Sequence, residues 1–257
     1  MAKKRAPAAG SQREKKKGQR KQRQPAPAAG TGRWLWEWVK SISVAILIFL
    51  VLRTFVVESF RISSGSMENT LLVGDLLLVN KAVYGAEVPF TPIHLPAFEE
   101  PERGDIVVLE PPFDGWEAPY VKRIVGTPGD RVEMRRGDLY VNGVRQTEIY
   151  VQHIQQGRDS FDPRFEWQRG HLPPGIDAGS YRPSRDNWGP LTVPDDEYFV
   201  MGDNRDNSED SRYWGFVSRG LIKGRPLIIY YSFDYGRLRP LPWLTDVRWG
   251  RIGDRVR

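Results

Sequence analysis

Trp34-Leu-Trp-Glu-Trp-Val-Lys-Ser-Ile-Ser-Val-Ala-Ile-Leu-Ile-Phe-Leu-Val-Leu-Arg-Thr-Phe-Val-Val57 runs directly into Glu58-Ser-Phe-Arg-Ile-Ser63, and near Phe55 the pattern changes from helical to extended. Counted strictly, the uncharged stretch is Ser41–Leu52, short of the roughly 18–20 apolar residues that a spanning helix wants. Extending it from Val39 to Val57 reaches that length if Lys40 and Arg53 snorkel to the two interfaces. Trp34, Trp36 and Trp38 then form an aromatic belt on one side. A cleavable leader is the competing reading, but Arg53-Thr-Phe-Val-Val-Glu58 offers no small-x-small site after the apolar run. The expectation is one uncleaved transmembrane anchor over 34–57.

Outward toward the N-terminus, residues 1–33 hold eleven Lys/Arg against the single acid Glu14. With no apolar periodicity, this reads as a flexible polybasic tail. Eleven positive charges ahead of a span predict a cytoplasmic tail and a body on the far side of the membrane. The rest of the chain keeps 27 of the 38 basic residues and 31 of the 32 acidic ones, so the body is mildly acidic. A basic nucleic-acid-binding face is therefore not expected there. Cysteine is absent, which removes disulfides, cysteine-based zinc sites and a cysteine nucleophile together.

Toward the C-terminus, short β-branched or aromatic runs bounded by Gly, Pro, Asp or Asn recur. They are Phe60–Ser63, Asp75–Asn80, Asp105–Leu109, Tyr120–Val125, Arg131–Met134, Leu139–Asn142, Glu197–Met201 and Pro226–Ser232. Asn142-Gly143 looks like a hairpin turn. No amphipathic helix of convincing length follows residue 58. The predicted fold is mainly β: a sheet or barrel-like body of antiparallel strands over 58–257, preceded by the one helix. Residues 151–195, within a broader insertion of about 135–195, are Gln-, Arg-, Asp- and Pro-rich and read as a surface excursion.

The chemistry narrows by elimination. His94, His153 and His171 are the only histidines, none spaced as a metal pair, and neither His-Glu-x-x-His nor Gly-x-Ser-x-Gly occurs. Lysine usage says more. After residue 33 only Lys40, Lys81, Lys122 and Lys223 appear, against 23 arginines. Arginine cannot lose its proton in a protein, whereas a desolvated lysine can. On a strand over 120–125, period two places Lys122 with Tyr120 and Ile124. That fits a buried neutral amine, but from the strand alone an edge lysine reaching water is the favoured reading. The strand by itself does not decide. Ser63-Ser-Gly-Ser-Met67 supplies a candidate nucleophile in Ser66, with Ser64 able to face the same way, although ordinary turns are full of such triplets. Gly202-Asp-Asn-Arg-Asp-Asn-Ser-Glu-Asp-Ser-Arg-Tyr-Trp-Gly-Phe-Val217 is a denser signal, rich in groups that position other groups.

Taken in order, these segments resemble bacterial type I signal peptidases. The matching stretches are Leu52–Phe60, Ser64-Gly-Ser-Met-x-x-Thr-Leu-Leu-x-Gly-Asp75, Arg103-Gly-Asp-Ile-Val-Val108, Tyr120-Val-Lys-Arg-Ile-Val-Gly-x-Pro-Gly-Asp130 and Met201–Gly215. The resemblance implies a serine endopeptidase in which Ser66 attacks the scissile carbonyl and Lys122 takes its proton. It further implies that the Ser64 hydroxyl joins the Ser66 N–H at the oxyanion, that Ser208 orients the lysine, and that Asp210 and Arg212 support the site. Phe60, Ile62, Leu71, Tyr120 and Val121 correspond to shallow pocket walls admitting small side chains at the −1 and −3 substrate positions. Two departures stand out: Ser63 and Asn69 occupy places where the family usually has proline, which relaxes the backbone beside the nucleophile. No metal or organic cofactor is implied. The expected partners are signal-peptide-bearing preproteins and the lipid bilayer, not nucleic acid, and the expected state is a single-pass monomer of the plasma membrane. Two other classes remain at this point: a catalytically silent anchored β-scaffold, and a self-cleaving repressor with a related Ser/Lys β-domain, which would need a helix-turn-helix that this chain lacks.

Overall fold

The computed structural model describes residues 31–257 except 90, 92, 114, 116, 117, 155–158, 235 and 237–240, with side chains from 34 onward. The polybasic tail up to residue 30 lies outside the described residues. Helix α1 spans Thr31–Phe55. Its stretch Trp34–Phe55 has a mean hydropathy of 2.0 over its most apolar window, none of it buried within the protein, and is long and apolar enough to cross a membrane. Trp34 and Trp38, one turn apart, meet edge to face at 5.8 Å. The helix stops at Phe55 rather than at 57, because Val57 is drawn into the first strand and pairs with Asn80.

The strands of the body pair antiparallel. In chain order the strands are β1 (Val57–Arg61), β2 (Asp75–Asn80), β3 (Ile106–Leu109), β4 (Tyr120–Gly126), β5 (Arg131–Arg135) and β6 (Asp138–Val141). They continue as β7 (Val144–Arg145), β8 (Trp188–Thr192), β9 (Glu197–Met201), β10 (Val217–Ser218) and β11 (Ile222–Ser232). Seven form one sheet in the order β1-β2-β11-β3-β4-β9-β10, and four form a second in the order β7-β6-β5-β8. The turn at Asn142-Gly143 holds both residues at positive φ and joins β6 to β7, as a two-residue hairpin of this type requires.

Alternation within the strands sets the core. On β2, Leu77 and Val79 are fully buried, and they pack with Ile62, Met67, Leu71, Ile106, Val108 and Ile229. A second cluster gathers Val107, Leu109, Ile124 and Val200.

One expectation needs correction. The segment 151–195 is not wholly a surface excursion. It carries β8, which pairs with β5, and it buries Phe165, Trp188 and Leu191 completely or nearly so. Trp188 stacks on Phe199 of β9 at 5.0 Å. Trp188-Gly-Pro-Leu-Thr192 hides its strand character because glycine and proline interrupt it.

Candidate active site

Ser66 sits in a single 3-10 turn, Gly65–Met67, entered from Ser64 in extended conformation. Met67 is 1% exposed in the core and anchors the turn from below. From the side, the loop after β9 grips it: Asn204 N–H donates to the Ser66 carbonyl at 3.0 Å and Asn204 Nδ2 to the Gly65 carbonyl at 3.1 Å. Ser64 Oγ lies 3.5 Å from Ser66 Oγ, so the two hydroxyls face one place. Asn69, a few residues on, holds φ at 83°, a conformation closed to proline. Its Nδ2 donates to the Tyr150 carbonyl at 3.0 Å, so a tether stands where a ring would have limited the backbone.

Lys122 is not an edge lysine. Strand β4 lies between β3 and β9, and Lys122 pairs with Val107 of β3. The side chain is buried, Nζ stands 5.5 Å from the Tyr120 ring, and it donates to Ser208 Oγ at 3.0 Å. Burial pushes the amine down to about 8, with Asp210 pulling it upward and Arg212 pushing it further down. No hydrogen bond joins Lys122 directly to Ser66. Gly202 shows how close the two sides are: a Cβ there would lie 2.3 Å from Ser208 Oγ and 2.5 Å from the Ser66 carbonyl oxygen. Gly202 thus packs between the Ser66 backbone and Ser208, the residue that holds Lys122.

The support for this cluster is charged and buried. Asp210 and Arg212 are both fully buried and paired through Nε and Nη2 at 2.8 Å each. Burial alone would raise the Asp210 carboxyl, but the Arg212 guanidinium outweighs it and the net direction is down. Asp210 also accepts from Gly202 N–H at 3.1 Å, and Arg212 Nη2 donates to the carbonyls of Arg205 (2.7 Å) and Ser208 (3.3 Å). The pair thus holds both ends of the loop that carries Ser208.

Five supporting residues escaped the sequence reading. Arg123, next to Lys122 on the opposite face, pairs with Asp203 through two bonds of 2.9 and 2.7 Å. Thr70 Oγ1 donates to the same carboxylate at 2.5 Å, which ties the Ser66 segment to the strand that carries Lys122. Arg205 is gripped by Glu148 at 3.0 and 2.6 Å. Asp203 and Arg205 had a signal in the dense 202–217 run, whereas Glu148 belongs to a stretch with no motif at all.

A cleft of about 80 Å³ adjoins Ser64 and Ser66, and Ile62, Tyr120 and Val121 line it. Phe60 lines the next cleft along β1. Leu71 is 1% exposed and packs with Ile62 in the core behind the wall. His153, Asp186 and Asp206 bring ligand-type atoms within 4.8 Å of one another. The Arg185 guanidinium already bonds Asp186 at 2.8 Å and Asp206 at 3.2 Å, so that cluster has its cation.

Comparison with known proteins gives the context for this arrangement. The family described as "Signal peptidase, peptidase S26" matches residues 35–231. The chain belongs to the signal peptidase family. Signal peptidase I of Pseudomonas aeruginosa is 37% identical over 78% of this chain and 74% of its own length. That of Aquifex aeolicus is 33% identical over 76% and 83%. Among solved structures, a signal peptidase I from Enterococcus faecalis is 30% identical over 50% of this chain and 98% of its own, with a TM-score of 0.33. Membership makes the chain a serine peptidase of the signal-peptide-removing class.

Gly202 yields a first prediction for this family member. Gly202→Ala is expected to cut turnover at least about 100-fold, because its Cβ would push the Ser66 carbonyl or the Ser208 hydroxyl back by about an ångström. Single-turnover cleavage measures it, with circular dichroism to confirm that the fold is retained.

Proposed function

We propose that the chain is a membrane-anchored endopeptidase that removes N-terminal signal peptides from exported preproteins at small-x-small sites, with Ser66 as nucleophile and neutral Lys122 as general base. The observation that carries this reading is the buried Lys122 amine held by Ser208 beside the Ser66 turn. An amine brought down to about 8 is neutral often enough near physiological pH to accept a proton, which an exposed lysine is not.

In this reading Ser66 Oγ bonds to the scissile carbonyl carbon while Lys122 Nζ takes its proton. The Ser66 N–H and the Ser64 hydroxyl stabilise the oxyanion. As the C–N bond breaks, Lys122 returns the proton to the leaving amine. A water then attacks the acyl ester and gives its proton to Lys122, which passes it to Ser66 Oγ as the ester bond breaks. Apolar walls at Ile62, Tyr120 and Val121 favour alanine-sized side chains by excluding bulk. This chemistry asks for no metal or organic cofactor.

The anchoring part of the reading rests on α1. Twenty-two residues from Trp34 to Phe55 extend about 33 Å, close to the roughly 30 Å of a bilayer's hydrocarbon. The basic residues before it support a cytoplasmic tail and a body on the other side. A mildly acidic body fits a protein-processing monomer rather than a nucleic-acid binder.

Incubating the purified protein with a preprotein bearing Ala-x-Ala, and mapping the cut, tests the reading. The expected product ends on the second alanine. Ser66→Ala will lower the rate at least about 1,000-fold with an unchanged melting temperature. Undiminished cleavage by the pure variant would remove Ser66 from its role.

A further inference from the structure

Beyond the small cleft at Ser66, a second and larger cleft of about 250 Å³ continues along the same strand. Pro119 lines both clefts. Period two places Glu58, Phe60 and Ile62 on one face of β1 and its continuation. Moving away from Ser66, the wall therefore reads Ile62, Phe60, Glu58. Apolar character ends at Phe60 and charge begins.

The charges are dense and arranged. Glu58 pairs with Lys81 at 3.1 Å, and Lys223 bridges Glu87 at 2.8 Å and Glu110 at 3.1 Å. Both lysines are four-fifths buried, while the glutamates remain about half exposed. Three carboxylates against two ammonium groups leave the cleft with one net negative charge.

We propose that this charged cleft is the subsite for the substrate's −5 side chain, and that it favours a basic or hydrogen-bonding residue and rejects an apolar one. The inference rests on the proteolytic reading above. An extended substrate lying beside β1 presents −1, −3 and −5 to one wall at about 6.6–6.8 Å per step. With −1 at Ser66 and −3 opposite Ile62 and Phe60, −5 falls on Glu58. A lysine or arginine there meets the exposed face of the glutamates. A leucine instead strips water from five charged groups and returns nothing. The cleft thereby acts as a ruler: it keeps the apolar segment of a signal peptide from sliding past −5 toward the nucleophile, and so fixes where the cut falls.

The test uses the full-length protein in detergent and one peptide series with alanine at −1 and −3 and Lys, Gln, Glu or Leu at −5. The wild-type kcat/KM for Lys is expected to exceed that for Leu about 10-fold, carried mainly by KM. Glu58→Gln removes one negative charge and should cut the Lys-to-Glu preference at least about threefold. Lys81→Gln removes a positive charge and should raise it by a similar factor. Neither side chain belongs to the Ser66–Lys122 cluster, and each preference is read as a ratio within one enzyme, so a general loss of activity cancels. Equal −5 preferences in all three enzymes, with cleavage still dependent on Ser66, overturn the subsite alone. Failure of the wild type to cut any member overturns the proteolytic reading and the subsite with it.

Discussion

Lys122→Met will abolish cleavage and, at neutral pH, make the protein more stable than the wild type. Methionine is unbranched and close to lysine in length, so it fills the same channel between Tyr120 and Ser208 without overpacking. What disappears is a buried ammonium. Unfolded, this lysine titrates near 10.5; folded, it titrates at about 8. Below pH 8 both states carry the proton, and burying the charge costs the wild type about 3 kcal/mol. Between about 8 and 10.5 only the unfolded state holds the proton, so wild-type stability rises with pH until the cost has gone. Loss of the hydrogen bond to Ser208 returns about 1 kcal/mol. The net gain of the variant near pH 6.5 is thus about 2 kcal/mol, a melting shift of roughly 4–8 °C for a body of this size, and it should vanish by pH 10.5. With Lys122 as the general base proposed above, the same titration sets the wild-type activity profile. With neutral amine rising from ~10% at pH 7 to ~90% at pH 9, the rate should climb about 10-fold. Thermal melts at the two pH values, paired with a cleavage assay, decide the matter; equal melting at pH 6.5 would contradict a buried charge at this position.

Arg212→Met will have the opposite effect on the fold. It leaves the fully buried Asp210 carboxylate without its partner and strips the carbonyls of Arg205 and Ser208 of a donor. Breaking a buried pair from one side costs about 3–5 kcal/mol. Replacing both members, Asp210→Asn with Arg212→Met, should recover part of that loss, because no lone charge remains inside. The single variant carries a second signature. Arg212 pushes Lys122 down and Asp210 pulls it up, so removing only the guanidinium should move the residual activity profile to higher pH. Denaturant titration and a pH series on the surviving activity separate the two effects.

These two expectations involve residues of unequal legibility. Asp210 and Arg212 stand two apart in a run dense enough to attract notice, and their pairing across a short helical turn is local. Glu148, which grips Arg205, comes from a stretch without any motif. Its role depends on 148–152 being laid beside the 203–205 loop, where Gln152 exchanges backbone bonds with Asp203 and Arg205. Strand β8 was hidden for a related reason. Its glycine and proline argue against a strand locally, and only pairing with β5 overrules them.

What the amino-acid sequence determined by itself is whatever short-range regularity can encode. The apolar stretch before Phe55, the short alternating strands after it, the Asn142-Gly143 turn and the ordered Ser/Lys motifs all depend on neighbours within a few residues. Tertiary structure alone decided whether Lys122 is wet or dry. Period two names the face of a strand but not the strands that flank it, and β3 and β9 come from opposite directions along the chain. It alone also brought Ser208 to the amine and Gly202 against Ser66, because those contacts span 86 and 136 residues. Burial is a property of the assembled sheet, and a lysine's proton affinity follows its burial.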